Sequence, residues 1–498
     1  MIARGETAAT VTGVRIAGPG SELLPDDGPF DVFLHGGRVA DIAPAGVLPP
    51  TGAVLDGDGA WMLPGLWDHH VHVTQWALVA ERVPLGHTAS AAEAAHAMSA
   101  APVLADGRRI GTGFRDAFWP DTPSLELLDA ATGEIPTYLI NADVHSVWLN
   151  SAALRREGVS SDDGMLREQP AFEISRRLNA VDPAIADPLV AQMAQRAAAR
   201  GVVGIVDLDM AWNEEAWQRR VATGFDALRV RFGIYPEHLD RAIAAGLRTG
   251  DALRGAPDDL VQVGALKVIT DGSLGTRTAA CTHPYPGGHD HGMLTVGAAE
   301  LLDLMTRATG AGLASAIHAI GDVANTQALD AFAVTGAWGT IEHAQLVAHA
   351  DLPRFARFGV AASVQPEHAL DDRDLTDALW AEQTAMAYPL RSLHDAGATL
   401  LLGSDAPVSP LDPWAAMAGA VFRTRDGREA WRPDEALPLS AALAASTAGG
   451  SQRPSAVAVG ESADLVLCAA DPFTTDEAEL RGMEVRATLR AGRILHLA

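Results

Sequence analysis

WMLPGLWDHHVH (61–72) passes from an apolar run, WMLPGL (61–66), into His70 and His72. The run has the length and composition of a buried strand. In extended chain, residues i and i+2 point the same way, so both imidazoles can reach one ion. The pair is weak evidence by itself: 17 histidines in 498 residues give about 0.6 such pairs by chance. A second pair, His289 and His291, falls in PGGHDHG, where Gly and Pro predict a loop. The plain alternative for either pair is a set of partly exposed histidines.

Downstream, short apolar stretches alternate with Ala-rich helical ones. Seven more strands are expected, at 202–208, 228–235, 260–269, 313–320, 339–344, 359–365 and 398–405. With 61–66 they make eight, the number a (β/α)8 TIM barrel requires. An open doubly wound sheet is the competing fold, but no Gly-rich phosphate loop follows the first strand. RRIGTGF (108–114) and PTYLINA (136–142) also resemble strands and fall in the long gap after the first. Residues 75–200 are therefore read as an α/β insertion, with a helix over 186–200. Both ends read differently. VTGVRI (11–16), DVFLHGGRVADIAP (31–44), AVLDGDGAWML (53–63), SADLVLCAADP (462–472) and EVRATLRAGRILHLA (484–498) alternate apolar and polar residues between turns, as short half-buried antiparallel strands do. The expected organisation is a small β-sandwich from 1–60 plus 451–498, a barrel from 61–74 plus 201–450, and the 75–200 insertion.

Composition narrows the partners. Hydrophobic residues at 48% and charged residues at 20% are globular proportions. Lys and Arg number 37 against 63 Asp and Glu, for a formal net charge of −26. With no basic run to offset it, that charge argues against nucleic acid. No apolar run approaches the ~18 residues of a membrane helix, and the first thirty residues lack a secretory pattern. The expectation is a cytoplasmic protein acting on a small molecule, with neither membrane nor nucleic acid as partner. Two cysteines, Cys281 and Cys468, are too few for a thiolate zinc site or a disulfide framework. Any metal must be held by His, Asp, Glu or an oxygen derived from Lys.

Ionisable residues also stand at or near the C-terminal ends of four other expected strands: Lys267 in GALKVITDG, His318 in SAIHAIGD, His343 in TIEHAQ and Asp405 in LLLGSDAPV. Barrel enzymes carry their chemistry at that end. Each has an ordinary reading. A buried His is commonly a satisfied core group, Asp405 can cap a helix, and Lys267 is costly in an apolar strand unless paired or modified. Coincidence across five strands of one barrel is the harder reading.

On these residues the chain resembles the amidohydrolase superfamily of metal-dependent hydrolases, in the branch related to N-substituted formamide deformylase. The resemblance runs nearly end to end. It passes through PGLWDHHVH, DVHSVWLNSAAL (143–154), LKVITDGSLGTRTAA (266–280), HAIGDVANTQALDAF (318–332), IEHAQLV (341–347), GVAASVQPEH (359–368), GSDAPVSPLDP (403–413) and GESADLVLCAADP (460–472). It implies that His70 and His72 bind the more buried of two divalent ions, expected to be zinc, and that His318 and His343 bind the more exposed one. Lys267 would be carboxylated and bridge them; Asp405 would touch the metal and shuttle protons. Trp67 departs from the usual aliphatic residue, which affects packing rather than ligation. His145, Trp148, Arg277 and Gln365 lie in branch-typical blocks and are candidates to face substrate. Asp271 and Asp322 would orient ligands, or else serve turns and helix caps. Trp76, Phe114, Phe118, Trp119 and Trp148 would line an apolar pocket, or else pack the insertion. Barrels of this superfamily also pair, so a homodimer is an expectation.

The implied reaction is hydrolysis of a non-peptide C–N bond, an N-acyl or N-formyl amide. Hydroxide generated on the metal at neutral pH attacks, and Asp405 carries its proton to the leaving nitrogen. A mononuclear deaminase on the same scaffold is the alternative, but it needs no lysine at strand four. A non-catalytic scaffold is the third reading, and such scaffolds lose ligands, whereas this set is complete.

Overall fold

The computed structural model describes residues 2–21, 24, 28–79, 82–104, 106–117, 119–257 and 259–498. Eight parallel strands stand side by side in chain order: Leu66–Val71, Val202–Asp207, Arg229–Ile234, Val261–Ile269, Ser315–Ala319, Gly339–His343, Val360–Val364 and Leu400–Leu402. The ring shuts between the last and the first. Val71 and Ala406 form a parallel bridge, Asp405 N–H donates to the His70 carbonyl at 2.8 Å, and His72 N–H donates to the Ala406 carbonyl at 2.9 Å. Strands enclosed on both faces read as continuous apolar runs rather than alternating ones. Leu66–Val71 is buried throughout, and Val202, Ile205, Val230, Phe232, Val261, Val263, Ile317 and Ile341 share one core with the surrounding helices.

The first strand corrects the expectation. Trp61–Pro64 belongs to another sheet, where it pairs with Thr10–Ile16 and Leu465–Cys468, and the barrel strand begins at Leu66. The apolar run is continuous across both, which hides the boundary; the break is Gly65. A Cβ there would press on both Val203 methyl groups, so only glycine lets the chain cross between sheets so close to the second strand.

That other sheet draws on both ends of the chain. Its order is Arg493–Leu497, Val485–Arg490, Leu465–Cys468, Trp61–Pro64, Thr10–Ile16, Phe30–His35 and Arg38–Pro44, with Val54–Asp56 beside Thr10–Ile16. It is mixed rather than antiparallel throughout: Thr10–Ile16 runs parallel to Val54–Asp56 and to Trp61–Pro64. Val11, Phe30, Val32, Met62, Leu467 and Leu489 fill its core.

Between the first two barrel strands lies a five-stranded sheet, ordered Met165–Arg167, Ser146–Leu149, Thr137–Asn141, Arg109–Phe114 and Val83–Pro84. RRIGTGF and PTYLINA supply two of these strands. Its final helices, Gln169–Asn179 and Pro183–Ala198, return the chain to the second barrel strand. Among the described residues, no helix is long and apolar enough to cross a membrane.

Trp67 shows what its departure from an aliphatic residue does. Its indole lies beneath the Arg231 guanidinium, 4.6 Å from the ring centroid, and over Gly204, where a Cβ would overlap it. Gly204→Ala is expected to destabilise the protein by about 1–3 kcal/mol, as overpacking does. Trp67→Leu in the same chain should relieve most of that loss. Thermal unfolding of the wild-type protein and these two variants checks it, and an unchanged midpoint in Gly204→Ala would refute the packing argument.

Candidate functional site

The strand ends converge on one cavity, lined by His70, His72, Lys267, His318, His343 and Asp405, and by His145 from the insertion. His70 sits near the end of the first strand and His72 one residue beyond it, with ring centroids 5.5 Å apart. The His70 ring lies 5.1 Å from that of His343, which lies 4.5 Å from that of His318. Asp405 Oδ1 is 3.4 Å from His70 Nε2 and 3.2 Å from His72 Nε2. His70, His343 and Asp405 each offer one ligand atom, all within 4.8 Å of one another.

Left-handed backbone shapes this cluster. His343 and Asp405 have φ of 73° and 56°, conformations rare outside glycine, though Asp tolerates them better than most. The turn at His343 explains a residue that strand alternation would send away from it. Glu342 sits opposite His318 in the strand register, and cross-strand neighbours face the same side. It thus reaches His70, whose Nδ1 is 2.7 Å from Glu342 Oε2. The carboxylate fixes the His70 tautomer and leaves Nε2 for an ion, an arrangement common behind ligating histidines. Burial alone would push Glu342 up, but the His70 hydrogen bond and the Lys267 amine bring it to about 2.

The other charges follow from burial and neighbours. Desolvation holds His318 and His343 well below the ordinary imidazole range. It would raise Asp405, yet the His70 and His72 imidazoles keep that carboxyl well below the usual carboxylate range. Lys267 is 1% exposed; its Nζ has no hydrogen-bond partner, and desolvation lowers its amine from the ordinary value. Buried polar atoms are normally paired. His343 Nδ1, His72 Nδ1 and Lys267 Nζ are buried without partners at one site, so the donor set fits cations better than it fits itself.

Asp271 accepts from the N–H groups of Ala280, Ile320 and Gly321 at 2.8–3.0 Å, and burial pushes it up to about 7 against those donors. It also stands 3.5 Å from His318 Nε2, which places it behind that ring while it fastens the loop. Asp322 begins a helix and accepts from Thr282 N–H at 2.9 Å, as a turn residue does.

Among the substrate candidates, His145 lines the cavity and the others do not. Trp148 is fully buried in the insertion's core with Phe114, Leu139 and Met165. Arg277 is exposed on the loop after strand four. Gln365 is buried, its amide donating to the Ser363 carbonyl at 3.3 Å. Trp76 packs in the barrel core, Trp119 against the insertion's core, and Phe118 lies outside the described residues. The apolar wall is instead Phe172, Met210, Ile269, Leu274, Ile320 and Val408. His368 also lines the cavity, with Nε2 4.0 Å from Asp405 Oδ2 and its ring stacked 6.0 Å from His343. Its position in GVAASVQPEH, just past the seventh strand, was the available signal. His289 and His291 are exposed in a loop. Cys281 and Cys468 are buried thiols outside the cavity.

A model described as the amidohydrolase family matches residues 53–496. The protein Long After Far-Red 3 of Arabidopsis thaliana is 29% identical over 78% of this chain and 73% of its own length. N-substituted formamide deformylase of Arthrobacter pascens is 25% identical over 92% of this chain and 93% of its own. Among solved structures, an uncharacterised metal-dependent hydrolase from Pyrococcus horikoshii superposes with a TM-score of 0.79 at 24% identity, covering 94% of this chain and 99% of that one. That likeness bears out the barrel architecture.

Proposed function

The chain belongs to the amidohydrolase family, and from that premise we propose that it is a metal-dependent hydrolase of non-peptide amides, of the N-acyl or N-formyl kind. The observation that carries this reading is the convergence of His70, His72, Lys267, His318, His343 and Asp405 from four strand ends and the barrel's closing turn on one cavity. His70, His72, His318, His343 and Asp405 would hold two divalent ions, zinc by the chemistry of an imidazole-rich set. Lys267, carboxylated on its amine, would bridge them; low amine basicity and an apolar strand favour the neutral form that reacts with carbon dioxide. When bound, such ions supply Lewis acidity that lowers the pKa of water to about 7.

The chain's own groups do the rest. Glu342 holds the proton at His70 Nδ1. Asp405, kept ionised by its two imidazoles, takes the proton of the attacking water and passes it to the leaving nitrogen. Phe172, Met210, Leu274 and Ile320 give the cavity an apolar wall suited to the carbon part of an acyl or aryl group. The relative that deformylates N-substituted formamides supports the formyl class as the first to screen.

Metal content by mass spectrometry, on protein purified without chelator and then supplied with zinc, is expected to give about two ions per chain. The loaded enzyme should hydrolyse an N-formyl or N-acyl amide. One ion per chain would favour a mononuclear deaminase instead, and a chain that stays empty would overturn the reading.

A further inference from the structure

The insertion brings one imidazole of its own to the cavity. His145 is 7% exposed, its ring edge-on to Phe172 at 5.0 Å and 6.1 Å from the His318 ring. Its Nδ1 is 2.9 Å from Glu168 Oε2. The other Glu168 oxygen accepts from Thr276 Oγ1 at 3.0 Å and Thr278 Oγ1 at 2.5 Å. Those threonines stand on the loop that follows the Lys267 strand. A second bolt lies alongside: His145 N–H donates to Asp143 Oδ1 at 3.0 Å, and Ser273 Oγ donates to Asp143 Oδ2 at 2.7 Å. The insertion is thus fastened to the barrel at two points, and His145 sits between them.

The backbone carries strain there. Val144, beside His145, has φ of 57°, and Glu168 has φ of 54°. A β-branched residue in the left-handed region is an outlier that persists where the surroundings over-determine it. Glu168 takes a hydrogen bond from each threonine hydroxyl and can offer His145 only an acceptor. Nδ1 therefore carries hydrogen, and because the buried Glu168 carboxylate is ion-paired with this ring, whose basicity it raises against the cost of burial, the ring is an imidazolium: Nε2, the nitrogen left to the cavity, carries hydrogen as well.

We propose that the insertion supplies a catalytic hydrogen-bond donor: His145 donates from Nε2 to the substrate's carbonyl oxygen, and Glu168 is the positioning residue that holds the ring. This rests on the hydrolytic reading given above. As water oxygen bonds to the carbonyl carbon, the C=O π pair moves onto oxygen, and the charge there is met by the His145 N–H. The C–N bond then breaks, the carbonyl re-forms, and the amine leaves with the proton carried by Asp405. His145 is unchanged throughout. A donor aimed at developing charge in an enclosed site is worth far more than one in water.

The test compares His145→Ala, Glu168→Gln, the double variant and Asp405→Asn, on the amide that the zinc-loaded enzyme turns over. With zinc content unchanged, His145→Ala is expected to lower kcat by about 10²-fold with little change in KM. Glu168→Gln should lower it by about 10-fold, and the double variant should be no worse than His145→Ala, because the two act as one unit. In nitrogen-labelled protein, the Nδ1 proton resonance of His145, identified by its loss in His145→Ala, should move in Glu168→Gln. The proposal is overturned by wild-type kcat in His145→Ala, by a change confined to KM, by multiplying effects in the double variant, or by an unmoved resonance. An active Asp405→Asn would bring down the hydrolytic reading itself; an inactive Asp405→Asn beside a fully active His145→Ala would bring down this proposal alone.

Discussion

Asp405→Asn is expected to lower kcat by about 10³-fold while the protein stays folded. General acid–base groups contribute about 10²–10⁴-fold, and no neighbour can replace this one with the same reach: Asp405 is the carboxylate facing both His70 and His72. Asn is the substitution that isolates the chemistry. It keeps the size of Asp, and it tolerates the left-handed backbone that position 405 adopts, with φ of 56°. The ring-closing hydrogen bond from the residue 405 N–H to the His70 carbonyl involves main chain only and survives. What is lost is a proton acceptor and one negative charge beside two imidazoles. Turnover, circular dichroism and zinc content should be measured together. Retention of more than about a tenth of the activity would refute the proton-carrying role, and a collapsed dichroism spectrum would show instead that position 405 is structural.

The eight strands were legible because a parallel strand covered on both faces has to be apolar almost without interruption. That same continuity concealed where the first one starts. WMLPGL reads as one segment, yet Gly65 divides it between two sheets. Ionisable residues stood out for the converse reason. Lys267 and Asp405 interrupt apolar surroundings, and an interruption of that kind requires an explanation.

Glu342 was not legible. Alternation sets neighbours on opposite faces, so His343 as a site residue argues against Glu342 as another. The contradiction dissolves only once the backbone at His343 is known to turn left-handed. The pairing of His145 with Glu168 was hidden differently. The partners are 23 residues apart, in two separate bends of the insertion, and Glu168 is held from a third place, the loop after strand four. Trp148 shows the opposite failure. A tryptophan three residues from a cavity-lining histidine looks like a pocket wall. In a strand it takes the side that the sheet dictates, and here it fills the core of the insertion beneath Met98 and Leu128.

Lys267→Met should abolish hydrolysis and, in the metal-free protein, raise stability. Under the proposed mechanism the amine carries the bridging group, so its removal takes the bridge with it. In the metal-free chain the same amine is a liability: it is 1% exposed, without a hydrogen-bond partner, and an unpaired buried polar group costs about 1–3 kcal/mol. Met is unbranched, similar in length and apolar, so it can occupy the same channel. A gain of about 2 kcal/mol is expected, read as an upward shift of about 2 °C in the unfolding midpoint for a chain this long.

The gain should depend on pH with a definite sign. Burial lowers the folded amine from the ordinary 10.5, whereas the unfolded chain keeps its proton up to that value. Between the lowered folded value and 10.5 the unfolded state therefore binds more protons, and stability rises with pH across that window. The advantage of Lys267→Met is largest at the bottom of that window and shrinks as pH approaches 10.5. A variant that loses activity and stability together, or whose stability margin does not narrow at high pH, would mean that the Lys267 amine is satisfied in the metal-free chain. Lys267→Ala completes the argument. It leaves space where the side chain was, so formate or propionate supplied with zinc should restore part of its activity, because a small carboxylate can take the place of the carbamate. Lys267→Met, with that space filled, should not respond.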